Sequence, residues 1–273
     1  MVDGNFHGRT TGVISFSADA DVQEGFGPFL TGFTRIPYNN ISALEELLAR
    51  DSNVCAMLVE PIQGEAGVIM PDEGYLARLS ELCRQYNILL MADEIQTGLG
   101  RTGRMLCSDY ENVRPDVLIL GKALSGGVFP VSVVLADDAV MLSIQPGEHG
   151  STYGGNPVAA VVSVAALEVL KNEHLAENAF EMGQIFRGRM EQLMAEKPDL
   201  IKAVMGKGLL NAIDIIPTAD GRTAKDVCHE LKEHGLLAKP THKHTIRFSP
   251  PLVISSEELD ECCSIIEKLI LDF

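Results

Sequence analysis

Ile88-Leu89-Leu90-Met91-Ala92-Asp93-Glu94-Ile95-Gln96-Thr97-Gly98 decides the fold, because an unbroken apolar run leads straight into two adjacent carboxylates. The run is too short for a buried helix, and its lack of alternation means that neither face is set aside for water. Such a segment reads as an inner strand of a parallel sheet covered on both faces. Two more runs share the pattern: Ala56-Met57-Leu58-Val59 leads into Glu60-Pro61, and Val117-Leu118-Ile119-Leu120-Gly121 leads into Lys122. In open α/β sheets ligands sit outside the carboxyl ends of the strands. Asp93 and Lys122 are therefore expected at the rim of one crevice, an acid and an amine delivered by neighbouring strands.

Around these strands the rest of the chain falls into place. Pro71-Asp72 opens a helix whose Tyr75, Leu76, Leu79, Leu82, Cys83 and Tyr86 share one face, giving a βαβ unit with Ile88 to Ala92. Gln96 to Pro115 holds glycines and mixed polar residues without helical period, as an active-site loop would. Val131 to Ala136 reads as a strand, Gly147 to Asn156 as a glycine-rich loop, and Pro157 to Lys171 as a helix with proline in its first turn. Ala176 to Met194 reads as another helix. From about Pro198 the pattern changes to short strands (Ala203 to Met205, Leu209 to Ile216, Thr245 to Phe248) and helices Ala224 to Glu233 and Ser256 to Leu271, the last capped at Ser256. The expected division is a large domain over residues 1–172, then a connecting helix and a smaller α+β domain over 173–273.

Bulk properties narrow the partners. The 273 residues are 46% hydrophobic, enough for a substantial core, and carry a formal net charge of −16. That charge argues against nucleic acid or an anionic membrane and leaves small molecules. The six cysteines, with no CxxC spacing, read as reduced thiols in an intracellular compartment. Gly98-Leu99-Gly100-Arg101-Thr102-Gly103 fits a dinucleotide-binding GxGxxG, but no long amphipathic helix follows it. Gly121-Lys122 lacks the upstream glycine of a P-loop. His242 and His244 have no third ligand at metal spacing, so no metal is expected, and His149 and the other histidines receive no role.

Three stretches taken together, Asp93 to Gly98, Gly121-Lys122-Ala123-Leu124-Ser125-Gly126-Gly127 and Gly150-Ser151-Thr152-Tyr153-Gly154-Gly155-Asn156-Pro157, resemble the class III, ornithine-type aminotransferases. Glu60 to Gly67, Gly208-Leu209-Leu210-Asn211-Ala212 and Leu236-Leu237-Ala238-Lys239-Pro240-Thr241 extend the resemblance through the chain. It implies an α/β protein of the fold-type I class: a mainly parallel sheet with flanking helices, and a smaller C-terminal α+β domain. It also implies pyridoxal 5'-phosphate as cofactor and, as activity, transfer of the δ-amino group of ornithine to 2-oxoglutarate. Other class III substrates (acetylornithine, 4-aminobutyrate) and a non-catalytic form pairing with longer subunits remain open at this point.

The same resemblance assigns roles. Lys122 would hold the cofactor aldehyde and later move the substrate proton, while Asp93 would pair with the pyridine nitrogen and sustain the electron sink. Gln96 would donate to the phenolic oxygen, and Ile95 and Phe6 would cover opposite faces of the ring. Ser151 and Thr152 would reach the cofactor phosphate of a neighbouring subunit, which implies a homodimer. Arg9 would hold one substrate carboxylate and Arg247 the α-carboxylate of 2-oxoglutarate or glutamate. Glu65 would occupy Arg247 while ornithine is bound and swing aside for the second substrate. Family members occur in cytosol and mitochondrial matrix. A complete member carries a long portion before Phe6 that anchors the cofactor phosphate, so the expectation is a fragment that is weakly active or inactive alone, with apolar surface exposed.

Overall fold

All three apolar runs are strands, because β-branched and leucine-rich segments of this length bury both backbone polarity and side chains most cheaply in a ladder. The computed structural model describes residues 1–217 and 221–272. These divide into two compact units, one formed by 1–61, 71–99 and 106–172, the other by 62–70, 100–105 and 173–272.

The first unit opens with an isolated parallel bridge between Val2 and Ile36, the short helix α1 (Thr11–Ile14) and helix α2 (Ile41–Arg50). The Asn40 side chain caps α2 by accepting from the Ala43 amide at 3.0 Å. Strand β1 (Ala56–Val59), helix α3 (Tyr75–Gln85), strand β2 (Leu89–Asp93) and strand β3 (Val117–Leu120) follow. β1, β2 and β3 run parallel, and β4 (Val133–Ala136) closes the sheet antiparallel to β3 in the order β1-β2-β3-β4. The unit ends with the single turn α4 (Asp138–Met141) and helix α5 (Pro157–Asn172). Asn156 starts α5 by accepting from the Ala159 amide at 2.9 Å, next to a proline preset for the first helical position.

This unit departs from the sequence reading at the start of α3 and in the cover of its sheet. Helix α3 begins at Tyr75 and not at Pro71, because Gly74 sits at φ +82° and breaks the helical path. The strands are sealed on one face: Met57, Val59 and Leu90 pack with Leu44, Leu47, Leu76, Leu79 and Leu82 of α2 and α3, while Leu58, Leu89 and Met91 on the other face are half-buried. Both helices pack with the same side of the sheet.

In the second unit, helix α6 (Leu175–Glu196) precedes strands β5 (Ile201–Lys207) and β6 (Leu210–Ile215), helix α7 (Ala224–Glu233), strands β7 (Lys239–Pro240) and β8 (Thr245–Phe248), and helix α8 (Ser256–Leu271). The sheet is antiparallel in the order β5-β6-β8-β7. Phe186, Met190, Ile213, Leu231, Ile246 and Ile266 form its core with little or no exposure. The cap of α8 is Ser255, one residue before the expected serine: its Oγ accepts from the Glu258 amide at 3.2 Å, and the Glu258 carboxylate accepts from the Ser255 amide at 2.9 Å. Gly183 of α6 lies so close to Gly208 that an added Cβ would stand 1.9 Å from the Gly208 carbonyl oxygen. This contact explains a glycine inside a helix. Among the described residues no helix is long and apolar enough to cross a membrane.

Candidate active site

Strand register places the acid and the amine. β2 pairs with β3 so that Asp93 lies opposite Ile119, three residues before Lys122. The chain turns sharply at Lys122, which sits at φ +44° at the head of a 3-10 turn, Lys122–Ser125. A left-handed lysine is an uncommon, strained conformation of the kind that accumulates at functional sites. Lys122 and Asp93 line the same cavity of about 160 Å³, together with Phe6, His7, Gly8, Glu60, Ile95 and Gln96. Lys122 also lines a wider cavity of about 970 Å³ with Ser125, Gly127, Phe129, Tyr153, Gly154 and Asn156.

Asp93 is 5% exposed and held by two donors. Its Oδ1 accepts from the Ile95 amide at 3.0 Å, and its Oδ2 faces His7 Nδ1 at 2.7 Å. A ring nitrogen against a carboxylate oxygen carries the proton, so His7 donates. His7 Nε2 is buried without a protein partner. The adjacent Glu94, 1% exposed, accepts from Thr97 Oγ1 at 2.6 Å and from the Cys107 and Ser108 amides at 2.8 Å each. Glu94 thus clasps the segment that follows β2 and fixes where Ile95 and Gln96 stand. Gly98 is part of this clasp, since a Cβ there would meet the Glu94 carbonyl oxygen at 2.8 Å. Glu60, 5% exposed, accepts from the Phe6 amide at 3.0 Å and ties the Phe6 stretch to the end of β1.

Of the residues expected from sequence, Phe6, Asp93, Ile95, Gln96 and Lys122 therefore share one cavity. Arg9 does not line it; its guanidinium carbon lies 5.4 Å from the Phe6 ring centroid, a cation–π distance. Ser151 and Thr152 are exposed in this chain, with Ser151 Oγ accepting from the Gly154 amide at 3.1 Å, and they line neither cavity described.

Glu65 and Arg247 belong to the second unit, where Arg247 Nη1 donates to Glu65 Oε1 at 2.8 Å. A cation that sequence reasoning missed joins them: Lys239 Nζ donates to Glu65 Oε2 at 2.7 Å. Burial by itself would raise the Glu65 carboxyl, but the hydrogen bonds and positive charges of Lys239 and Arg247 outweigh it and lower the group to about 2. Arg101 is close enough to be felt as well: burial, then repulsion from Arg247, lowers it to about 10, and it donates to the carbonyls of Leu209 and Pro250 at 3.0 and 2.6 Å.

His7, Glu94 and Lys239 were given no role from sequence, and Glu60 was marked only as the end of an apolar run. His7 had no partner at a helical or strand spacing, because Asp93 reaches it only through folding. Glu94 carried one signal, its place beside Asp93 at a strand end, and Lys239 stood inside a quoted motif without a role.

The class-III aminotransferase family model matches residues 1–270. The chain is 58% identical over 270 residues to the mitochondrial ornithine aminotransferase of Rattus norvegicus, covering 99% of this chain and 60% of that protein. With the Drosophila melanogaster protein of the same description it is 59% identical over 267 residues, covering 98% and 60%. A crystal structure of ornithine aminotransferase from Toxoplasma gondii ME49 superposes with a TM-score of 0.95 at 48% identity, covering 99% of this chain and 64% of that one. The PLP-bound amine transaminase of an uncultivated Pseudomonas species gives 0.90 at 29% identity, covering 99% and 68%. The chain thus spans about 60% of the length of the curated relatives it matches. These neighbours bear out the fold-type I arrangement that the resemblance implied, and the parallel β1-β2-β3 of this chain is part of its sheet. This chain belongs to the class III aminotransferases.

Proposed function

We propose that the protein transfers the δ-amino group of ornithine to 2-oxoglutarate, giving glutamate semialdehyde and glutamate, with pyridoxal 5'-phosphate as cofactor. The observation that carries the reading is that Lys122 and Asp93 line one cavity. Its donor set suits that cofactor: an amine for the aldehyde, a carboxylate for the pyridine nitrogen, an amide at Gln96 for the phenolic oxygen, and apolar side chains at Phe6 and Ile95 for the ring faces. When bound, the group supplies an electron sink for the substrate carbon. Lys122 contributes the amine that carries the proton to and from that carbon. Asp93, pinned by His7 and the Ile95 amide, is held in one orientation to meet the ring nitrogen.

Substrate choice is assigned to Arg9, Arg247 and Glu65. With Glu65 on Arg247, the site takes a monocarboxylate with a distal amine; with Arg247 released, it takes a dicarboxylate. Ser151 and Thr152 are assigned to the cofactor phosphate of a second copy, an assignment supported by their exposure and by the exposed apolar Tyr153, Val158, Val161 and Val164 beside them. Residues 1–172 are read as part of the large cofactor-binding domain and 173–273 as connecting helix and small domain. The compartment is read as intracellular, cytosol or mitochondrial matrix, and relatives described as mitochondrial support the latter.

The test uses the protein incubated with pyridoxal phosphate, reduced with borohydride and digested. The expected result is cofactor mass on the Lys122 peptide, and transfer of label to glutamate from δ-15N-ornithine but not from α-15N-ornithine. Cofactor mass on a different lysine, or label leaving from the α position, would overturn the assignment.

A further inference from the structure

Glu65 is held by two cations, and each of its oxygens has its own. Oε1 takes the Arg247 guanidinium at 2.8 Å and Oε2 the Lys239 ammonium at 2.7 Å. The sheet arranges this pairing: β7 and β8 are antiparallel with Lys239 directly opposite Arg247, so the two side chains leave the same face as cross-strand neighbours. The loop bearing Glu65 is docked on the same ribbon, through His242 Nε2 against the Ala66 carbonyl at 2.8 Å and a second bond from Arg247 Nη1 to the Gly64 carbonyl at 3.3 Å. Exposure grades the three groups. The Arg247 side chain is 13% exposed, Glu65 25% and Lys239 53%.

A carboxylate this sheltered is costly to leave without a counter-ion. If Arg247 is to receive a substrate carboxylate, Glu65 has to let go of it, and the movement is cheap when another cation keeps its hold. Lys239 is suited to that role, because its ammonium is a compact charge on a flexible stem and its exposed end can follow a moving partner. We propose that Lys239 is a positioning residue for substrate choice: it retains Glu65 when Arg247 is released, and so sets how readily the site opens to a dicarboxylate. The inference rests on the reading of Glu65 and Arg247 given above. Lys239 holds Glu65 in both states, but in the closed state it also stands beside the like charge of Arg247, a repulsion relieved once a substrate carboxylate neutralises Arg247. Its removal therefore costs the open state more, and apparent affinity for a dicarboxylate falls with the open fraction.

The experiment compares wild type, Lys239→Gln and Lys239→Arg, each loaded with pyridoxal phosphate. Calorimetry measures the binding of glutarate, an unreactive dicarboxylate, and single-turnover kinetics give the ratio of kcat/KM for 2-oxoglutarate over ornithine. Expected for Lys239→Gln is about tenfold weaker glutarate binding and a fall of similar size in the ratio. Lys239→Arg, which keeps the charge, restores most of both. Glutarate affinity and ratio unaltered in Lys239→Gln overturn the inference while the proposed function stands. An equal loss in Lys239→Gln and Lys239→Arg also overturns it, since a packing role would not distinguish charge. Wild-type protein that takes up neither cofactor nor glutarate overturns both readings.

Discussion

Asp93, 5% exposed, keeps one oxygen on the Ile95 amide and the other on His7. Replacing His7 with leucine fills similar space but leaves Asp93 Oδ2 short of a donor, at a cost of about 2 kcal/mol. The expected outcome is a lower denaturant midpoint with unchanged slope, and partial recovery in His7→Asn, whose amide can donate. An unchanged midpoint in His7→Leu would show that the bond does not hold Asp93. Glu94→Gln is the harsher change, because one carboxylate oxygen facing backbone donors becomes an NH2 group and two donors then confront each other. A loss of about 3 kcal/mol is expected, with weaker retention of added pyridoxal phosphate measured by dialysis; full stability would show that the clasp around Thr97, Cys107 and Ser108 is dispensable. Asp93 and Lys122 were legible because strand ends mark ligand positions. His7 was not, because a histidine gives no sign of its partner until the strands are assembled.

Elements fix two further quantities. Gly183 sits within helix α6 against the backbone of Gly208, so Gly183→Ala gains helix propensity yet forces helix and strand connection apart. Overpacking of backbone against backbone is expected to win, with a net loss of about 2 kcal/mol; a more stable variant would show that the contact yields easily. The ribbon β7–β8 and its docked loop carry a pH signature. Glu65 is lowered in the folded protein from 4.5 to about 2, so its clamp is at full strength above pH 4.5 and weakens as pH falls through about 2. Carbon-13 NMR of labelled glutamate should find the Glu65 carboxyl titrating near 2, moving upward in Lys239→Gln. A Glu65 signal that titrates near 4.5 would mean the two cations do not hold it in solution. Helix periodicity revealed α3, α6, α7 and α8 well, whereas α2 went unread, the start of α3 shifted and the cap of α8 moved by one residue, since these depend on a backbone angle at Gly74 and on which of two serines bonds Glu258.

At the scale of the whole molecule, exposed Val158, Val161 and Val164 lie on one helix beside exposed Ser151 and Thr152. On the proposed reading these belong to a site shared between two copies, and subunit mixing tests that directly. Lys122→Ala and the double variant Ser151→Ala/Thr152→Ala should each be impaired alone. Unfolded together and refolded at equal ratio, half the dimers should be hybrids with one intact site each, restoring about a quarter of the wild-type sites. No recovery on mixing would place Ser151 and Thr152 on their own subunit's site or outside it.

The sequence by itself determined that apolar runs ending in Asp93, Glu60 and Lys122 build a sheet whose rim carries an acid and an amine, because burial demands strands and strand ends face the crevice. Its motifs determined the family. Tertiary structure decided what holds those groups: His7 on Asp93, the amides on Glu94, and Lys239 opposite Arg247 on Glu65. Such pairs join residues far apart along the chain through hydrogen bonds and charge, which leave no periodic trace in the sequence, unlike the apolar burial that orders strands and helices.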